Sequence, residues 1–409
     1  MTGRGPVLTA AALLLAALGA LYAATGSWER AWHDIGVASY HNSFGDLRVI
    51  THSIPCVQSG IDPYVKDACN DYWRHHSQAT APYQDILLNY PPIWLKSGNL
   101  GVSPASTNTL GVAIGLAAML CLWRILRPRT IAGGLIVGGA ILSPSVLLGF
   151  ERGNIDLVIF SLLVVVLLIT ERLTPAVRSW CRAAGIIVLT VLKFFPVAIV
   201  TLLIPSRRRW VAVSATSILA IAAAWMVADG RFFDVLSNTP KVDNLAFGSL
   251  PILIGLDKAF GGNGIASKGM ISLALFMSLA AFLLVLTTTL ARKLPRPLPL
   301  HLPPLPDDLN GSLAVAGLSI FCLGFLFGAS FDYRLIFLVL ALPLLLAAYD
   351  EDPTRSRRLV APVAIVVFLW LSRVTDKVAH LDEVLDWIIF AVGSAWLACA
   401  LLLRDRRQG

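Results

Sequence analysis

Charged residues are scarce in this chain. Only 14% of its 409 residues are Asp, Glu, Lys or Arg, against 56% hydrophobic ones, and the mean hydropathy is +0.72. A soluble protein of that length needs a more charged surface, so a soluble globular enzyme is excluded. Several catalytic signatures are missing as well. There is no Walker A loop, no G-x-G-x-x-G ahead of a helix and no G-x-S-x-G. The 7 histidines form neither an H-E-x-x-H nor an H-x-x-x-H pair. No internal repeat is visible. A net charge of +8 would suggest nucleic acid in a soluble chain, but here the surplus sits in short loops between apolar runs and reads as membrane topology.

What the chain does have is a succession of apolar runs, each long enough to cross about 30 Å of hydrocarbon. They predict spans near 6–25, 104–123, 131–149, 154–170, 210–228, 269–290, 311–328, 335–350, 359–373 and 386–403. The first follows Arg4, has a long apolar core and is not followed by a clear A-x-A site ahead of Trp28, so it is expected to be a retained signal anchor. One further segment, "AAGIIVLTVLKFFPVAIVTLLI" at 183–204, is interrupted at its centre by Lys193 and Pro196.

The basic loops decide how that segment runs. They are "RILRPR" (124–129), "ERLTPAVRSWCR" (171–182), "SRRR" (206–209), "ARKLPR" (291–296), "RSRR" (355–358) and "RDRR" (404–407). All share the cytoplasmic face with Arg4 only if 183–204 enters and returns on the same side. That makes it two short helices bent at Phe194-Phe195-Pro196, a break tolerated where protein or a cavity covers the freed backbone groups. The expected fold is an all-α polytopic bundle in one domain, 1–409, with ten full spans, a bent helical hairpin and both termini cytoplasmic.

The opposite face collects the unusual residues. It carries a 78-residue first loop, 26–103, a second loop, 229–268, and the helix mouths "ERGN" (151–154) and "SFDYR" (330–334). The Pro-rich stretch within 291–310 reads as a stiff cytoplasmic linker. In the first loop, 47–59 is amphipathic and is expected to lie along the membrane surface. Asp46 follows Gly45, where an N-capping carboxylate would also be comfortable. Ile61-Asp62-Pro63-Tyr64 reads as a turn. Tyr90-Pro91-Pro92 and Trp94 precede a span, and Trp94 reads as an interface-belt aromatic. Cys56 and Cys69 share the loop and are open to two readings, a disulfide or two unpaired thiols. Cys121, Cys181, Cys322 and Cys399 fall in or beside spans and read as small apolar residues.

The order of Asp46 with an amphipathic helix, "GIDPY", "NYPP" before the second span, "RGNIDL" (152–157), "LKFFP" (192–196) and "SFDYRLIFL" (330–338) resembles glycosyltransferase family 87. These are GT-C membrane enzymes, among them polyprenol-phosphate-mannose-dependent mannosyltransferases and arabinofuranosyltransferases. The set is spread over most of the chain, with one departure: "LKFFP" has Phe194 in a pattern closer to K-P-Y-P. The resemblance implies a GT-C-like bundle and a catalytic aspartate in the first exported loop, where Asp46 is the matching position. A sugar on a lipid phosphate is already activated, so an acceptor hydroxyl needs only a positioned base. The departing phosphate gains charge, which cations must stabilise. Arg334, Lys193 and Arg152 are the candidates for that contact, unless Asp156 or Asp332 simply neutralises an arginine in a helix–helix pair. Asn154, Asp156, Asp332, Tyr64 and Tyr90 are candidates for sugar or acceptor contacts.

The expected function is transfer of one sugar, mannose or arabinofuranose, from a polyprenyl phosphate to a lipid-linked or glycan acceptor. It would act at the outer face of a bacterial inner membrane, among membrane lipids and without nucleic acid. No cofactor is called for, and a divalent cation is compatible with the chemistry. Two other classes fit less well. A secondary transporter would explain a broken helix at 183–204, but transporters join their early spans tightly. A non-catalytic scaffold would not concentrate polar residues on one face.

Overall fold

The computed structural model describes residues 5–39, 43–76, 87–203, 209–239, 246–248, 302–326, 329–354, 356–371 and 381–403. The span expected at 269–290 and the linker segment 291–301 lie outside the described residues. The chain opens with α1 (Gly5–Thr25) and α2 (Trp28–Asp34). The first loop then holds α3 (Gly45–Gln58), α4 (Ala68–His76) and a 3₁₀ segment, Pro92–Leu100. There follow α5 (Thr107–Ile125), α6 (Ile131–Ile141), α7 (Pro144–Arg152), α8 (Ile155–Thr170) and α9 (Pro175–Leu192). After the 3₁₀ segment Phe195–Leu203 come α10 (Arg209–Val227) and α11 (Phe232–Asn238). The remainder is α12 (Leu309–Leu326), the 3₁₀ segment Asp332–Ala341, α13 (Leu342–Glu351), α14 (Val360–Leu371) and α15 (Leu381–Leu403). One short antiparallel pair interrupts the helices: β1 (Ala246–Gly248) and β2 (Ala329–Phe331), with Phe247 opposite Ser330.

This is a multi-pass membrane protein built of helices. Among the described residues, five helices are long and apolar enough to cross a membrane, or up to seven if each of two bent pairs is one span. The pairs are α6 with α7, bent by 45°, and Ala212–Val227 with α11, bent by 86°. The spans expected near 154–170, 359–373 and 386–403 correspond to shorter apolar helical stretches.

Contacts sort the helix termini into two ends. At one end Asp46 meets Asn154, Trp94 meets Leu192, Phe194 packs on Phe232 and Arg334 reaches Asp156. At the other, Arg182 bonds Thr170 and Ser312, and Arg129 bonds Asp350. The two are separated by α8, whose 16 residues rise about 24 Å. The break at Lys193 lies at the first end. There α10 also finishes, and the 3₁₀ segment Phe195–Leu203 packs along both α9 and α10. The chain therefore turns at Lys193–Phe194 as a hairpin, but in place of the two short helices expected, α9 is by itself long and apolar enough to cross a membrane. The first arm is longer than expected, because Pro175, pre-set for the first helical position, starts α9 inside what reads as a loop at 171–182.

Three features of the first loop are placed by the packing. α3, expected along the membrane surface, packs against the protein, burying Leu47, Ile50, Thr51, Ile54 and Cys56. Trp94, expected as a belt aromatic, is half-buried and also bonds into the bundle. Its indole N–H donates to the Leu192 carbonyl at 2.9 Å, supplying a partner for a carbonyl at the end of α9. Cys56 and Cys69 are disulfide-bonded, tying α3 to α4 beside His52 and Trp73. Burial and the nearby Arg48 push the His52 imidazole down to about 4, so it stays neutral.

Candidate active site

The stretch from Glu151 to Asp156 holds a helix end, a glycine and a helix start. α7 stops at Gly153, which has φ 58. Asn154 then caps α8, its side-chain oxygen accepting the Asp156 N–H at 2.7 Å. Glycine is required at 153 for its left-handed backbone and for space, since a Cβ there would stand 3.1 Å from the Phe44 side chain. Phe44 is itself left-handed at φ 63. Such a residue costs about 1–3 kcal/mol and persists where its surroundings over-determine it. Here its N–H donates to the Glu151 carbonyl at 2.8 Å, and its ring fills the space over Gly111 of α5.

Phe44, not Asp46, occupies the N-cap of α3, and no side chain caps that helix. Asp46 sits in the first turn and turns its carboxylate to Asn154. The capping alternative for Asp46 is thereby overturned. The wedge of Phe44 between Gly111 and Gly153 sets where Asp46 stands.

Asn154 is the centre of the cluster. Its amide N–H₂ donates to Asp46 Oδ2 and to the Tyr90 hydroxyl, the latter at 3.3 Å. Its Oδ1 also takes the Lys193 ammonium at 3.4 Å. Lys193 lies 2.5 Å from Asp156 Oδ1, and Arg334 Nε lies 3.2 Å from Asp156 Oδ2. One buried carboxylate thus holds two cations side by side. Arg334 Nη1 also donates to Ser330 Oγ at 2.7 Å, and its guanidinium lies 4.4 Å from the Phe195 ring centre. The Lys193 ammonium sits 5.0 Å from the Tyr90 ring centre. These seven polar residues, Asp46, Tyr90, Asn154, Asp156, Lys193, Ser330 and Arg334, come from the first loop, the α7–α8 corner, the break after α9 and the junction of β2 with the 3₁₀ segment Asp332–Ala341.

Arg152, expected as a third phosphate contact, has a carboxylate neighbour of its own. Its Nε pairs with Glu151 at 3.2 Å, and Glu151 also accepts from Ser39 at 2.7 Å. Burial pushes the Asp46 carboxyl above its ordinary value of 3.8, against the opposing pull of Arg152, the Asn154 amide and Lys193. Burial, with Asp46 alongside, likewise keeps the Tyr90 phenol protonated well above its usual range.

Residues 87–302, more than half of the chain, match the family model for glycosyltransferase family 87. The chain belongs to glycosyltransferase family 87. No curated protein and no solved structure matches it. Membership makes it a membrane glycosyltransferase and sets aside the transporter and scaffold readings. The matched stretch contains Tyr90, Arg152, Asn154, Asp156 and Lys193. Asp46 and Arg334 lie outside it, and the glycosyltransferase fold brings them to the same cluster.

The remaining candidates in this glycosyltransferase are placed as follows. Tyr64 is buried and donates its hydroxyl to the Tyr90 carbonyl at 2.7 Å, so it braces Tyr90 from behind. Asp62 makes the expected turn, accepting the Tyr64 N–H at 3.0 Å, and pairs with Arg231 at 2.6 Å. Asn238 donates to the Tyr64 and Leu88 carbonyls at 3.0 and 3.1 Å, so α11 clips onto the first loop. Asp332 is buried at the start of its 3₁₀ segment. Of the neutralising pairs expected between Asp156 or Asp332 and an arginine, Arg334 with Asp156 is present, across 178 positions of sequence. Ser39, Phe44 and Ser330 were missed by sequence reasoning. Only Ser330, inside "SFDYR", carried a signal. Among the described residues, no group of three or more His, Cys, Asp or Glu is placed to hold a metal ion.

Proposed function

We propose that this glycosyltransferase moves one sugar, mannose or arabinofuranose, from a polyprenyl phosphate to a lipid-linked or glycan acceptor at the outer face of the inner membrane. The observation that carries the reading is one cluster in which a carboxylate, Asp46, and two cations, Lys193 and Arg334, meet around Asn154. In the reaction, the acceptor hydroxyl attacks the anomeric carbon while its proton passes to Asp46. The bond from that carbon to the phosphate oxygen breaks, and the polyprenyl phosphate leaves with added negative charge. Lys193 and Arg334 stabilise that charge. With Asp156 between them, these two cations keep one positive charge in excess, which matches the single charge of a lipid phosphodiester. Arg152, paired with Glu151, is a third cation whose charge acts on Asp46. Asp156, Asp332, Tyr90 and Tyr64 line or brace the same end of the bundle and are the proposed surroundings of sugar and acceptor.

The base works only when deprotonated. With the Asp46 carboxyl held above its ordinary value by burial, kcat/KM is expected to fall as pH drops through a midpoint above the usual aspartate value of about 3.9. Activity of purified enzyme followed from pH 3 upward at fixed donor reads that midpoint. An acid limb at or under the usual value would mean that no desolvated carboxylate accepts the proton. Sidedness has its own test. A reporter fused after Arg209 is expected to read cytoplasmic, with 26–103 extracytoplasmic. A periplasmic signal after Arg209 would refute the return of the chain at Lys193.

A further inference from the structure

Asn154 reads from sequence as a contact to sugar or acceptor, yet its side chain is spent within the protein. It is completely buried. Its Oδ1 faces two donors, the Asp156 N–H at 2.7 Å and the Lys193 ammonium at 3.4 Å. A donor can only meet the oxygen of the amide, so the N–H₂ must point the other way. There it meets Asp46 Oδ2 and the Tyr90 hydroxyl, and the Tyr333 phenol is hydrogen-bonded to the same side chain. The orientation of the amide is therefore set by the α8 cap and by Lys193, independently of Asp46.

We infer that Asn154 is a positioning residue for the reaction: its fixed amide donates to Oδ2 of Asp46, holds the carboxylate in place and keeps it in the proton-accepting form. An amide N–H₂ can donate but not accept, so it supports the carboxylate and gives nothing to a proton on Oδ2. The acceptor's proton then goes to Oδ1, the oxygen that Asn154 does not hold. The same residue ties the base to the cations through Lys193, so base and phosphate contact share one reference point. The Tyr90 hydroxyl, braced by the Tyr64 bond to the Tyr90 carbonyl, limits how far the amide can swing.

The kinetic arm of this inference rests on the proposed glycosyl transfer; its structural arm does not. Asn154→Ser retains a good cap for α8, because Ser and Asn cap about equally well, but its hydroxyl is too short to reach both Asp156 and Asp46. With a polyprenyl phosphate mannose donor, kcat is expected to fall about ten- to a hundredfold at unchanged donor KM. The acid limb should move up by about one to two pH units. Asn154→Asp, which also keeps the cap, sets a second carboxylate beside Asp46 and should move the limb further in the same direction. A raised donor KM with an unmoved acid limb would make Asn154 a sugar contact and overturn the proposal. The contact itself is read without turnover from a thermal-unfolding cycle of wild type, Asp46→Ala, Asn154→Ser and the double variant. Non-additive Tm losses are expected, and strictly additive losses would overturn it. If wild type transfers no sugar from any polyprenyl phosphate, the reading of function fails, and the cycle still decides whether Asn154 holds Asp46.

Discussion

Asp46→Asn should turn over about 10²–10⁴-fold more slowly than wild type while unfolding at nearly the same temperature. The substitution keeps the shape of the side chain and a possible hydrogen bond to Asn154, but removes the ability to take a proton from the acceptor. Asp46 is not the cap of α3, a position held by Phe44, so no capping energy is lost with the charge. What remains is its favourable place in the first turn, worth about 0.3–1 kcal/mol. A large loss of rate with a small loss of stability is the signature of a base. Activity of the purified variant with a lipid-phosphate donor, beside a thermal melt, measures both. An Asp46→Asn enzyme at near wild-type rate would end the assignment. Asp62 would be a poor substitute, because Arg231 and the Tyr64 N–H already engage it. Asp332, buried two residues before Arg334, would then be tested first.

The second large effect concerns the donor. Arg334→Ala removes a charge-assisted contact to phosphate of about 1.5–3 kcal/mol, so donor affinity is expected to drop roughly ten- to a hundredfold. Arg334→Lys should recover only part of this, since an ammonium cannot reproduce the guanidinium fork or its packing over Phe195. The competing account is structural: Arg334 would serve only to neutralise Asp156. Lys193 also pairs with Asp156 at 2.5 Å, so that carboxylate keeps one cation when Arg334 is lost. The variant should therefore fold well enough to be assayed. Titration with a polyprenyl phosphate separates the accounts. Unchanged donor affinity together with a lowered Tm would place Arg334 in a purely structural pair.

Membership in family 87 and the separate cluster geometry support each other from different parts of the chain. The matched residues end before Arg334 and begin after Asp46. Neither residue owes its place in the cluster to the match, and both arrive there through contacts with residues inside it.

Much of this was legible in the sequence because it is local. The scarcity of charge and the recurring apolar runs made the chain a multi-pass helical membrane protein, since hydrocarbon accepts only backbones that satisfy their own hydrogen bonds. Pro196 after Lys193 marked the break, and Asp62 before Pro63 marked the turn, because both residues act on their own backbone. The polar mouths "ERGN" and "SFDYR" were recognisable as one site by the side of the bundle they should share. Which side chains would touch was not legible. Arg152 pairs with its neighbour Glu151, Arg334 with Asp156, Trp94 bonds Leu192, and Asn154 links Asp46 to Lys193. Successive residues on a helix differ in direction by roughly 100°, so a small change in helix rotation or end position sends a side chain elsewhere. Only the packed bundle sets those rotations. It does so here through contacts such as the Phe44 ring against Gly111 and Gly153, which join residues more than sixty positions apart.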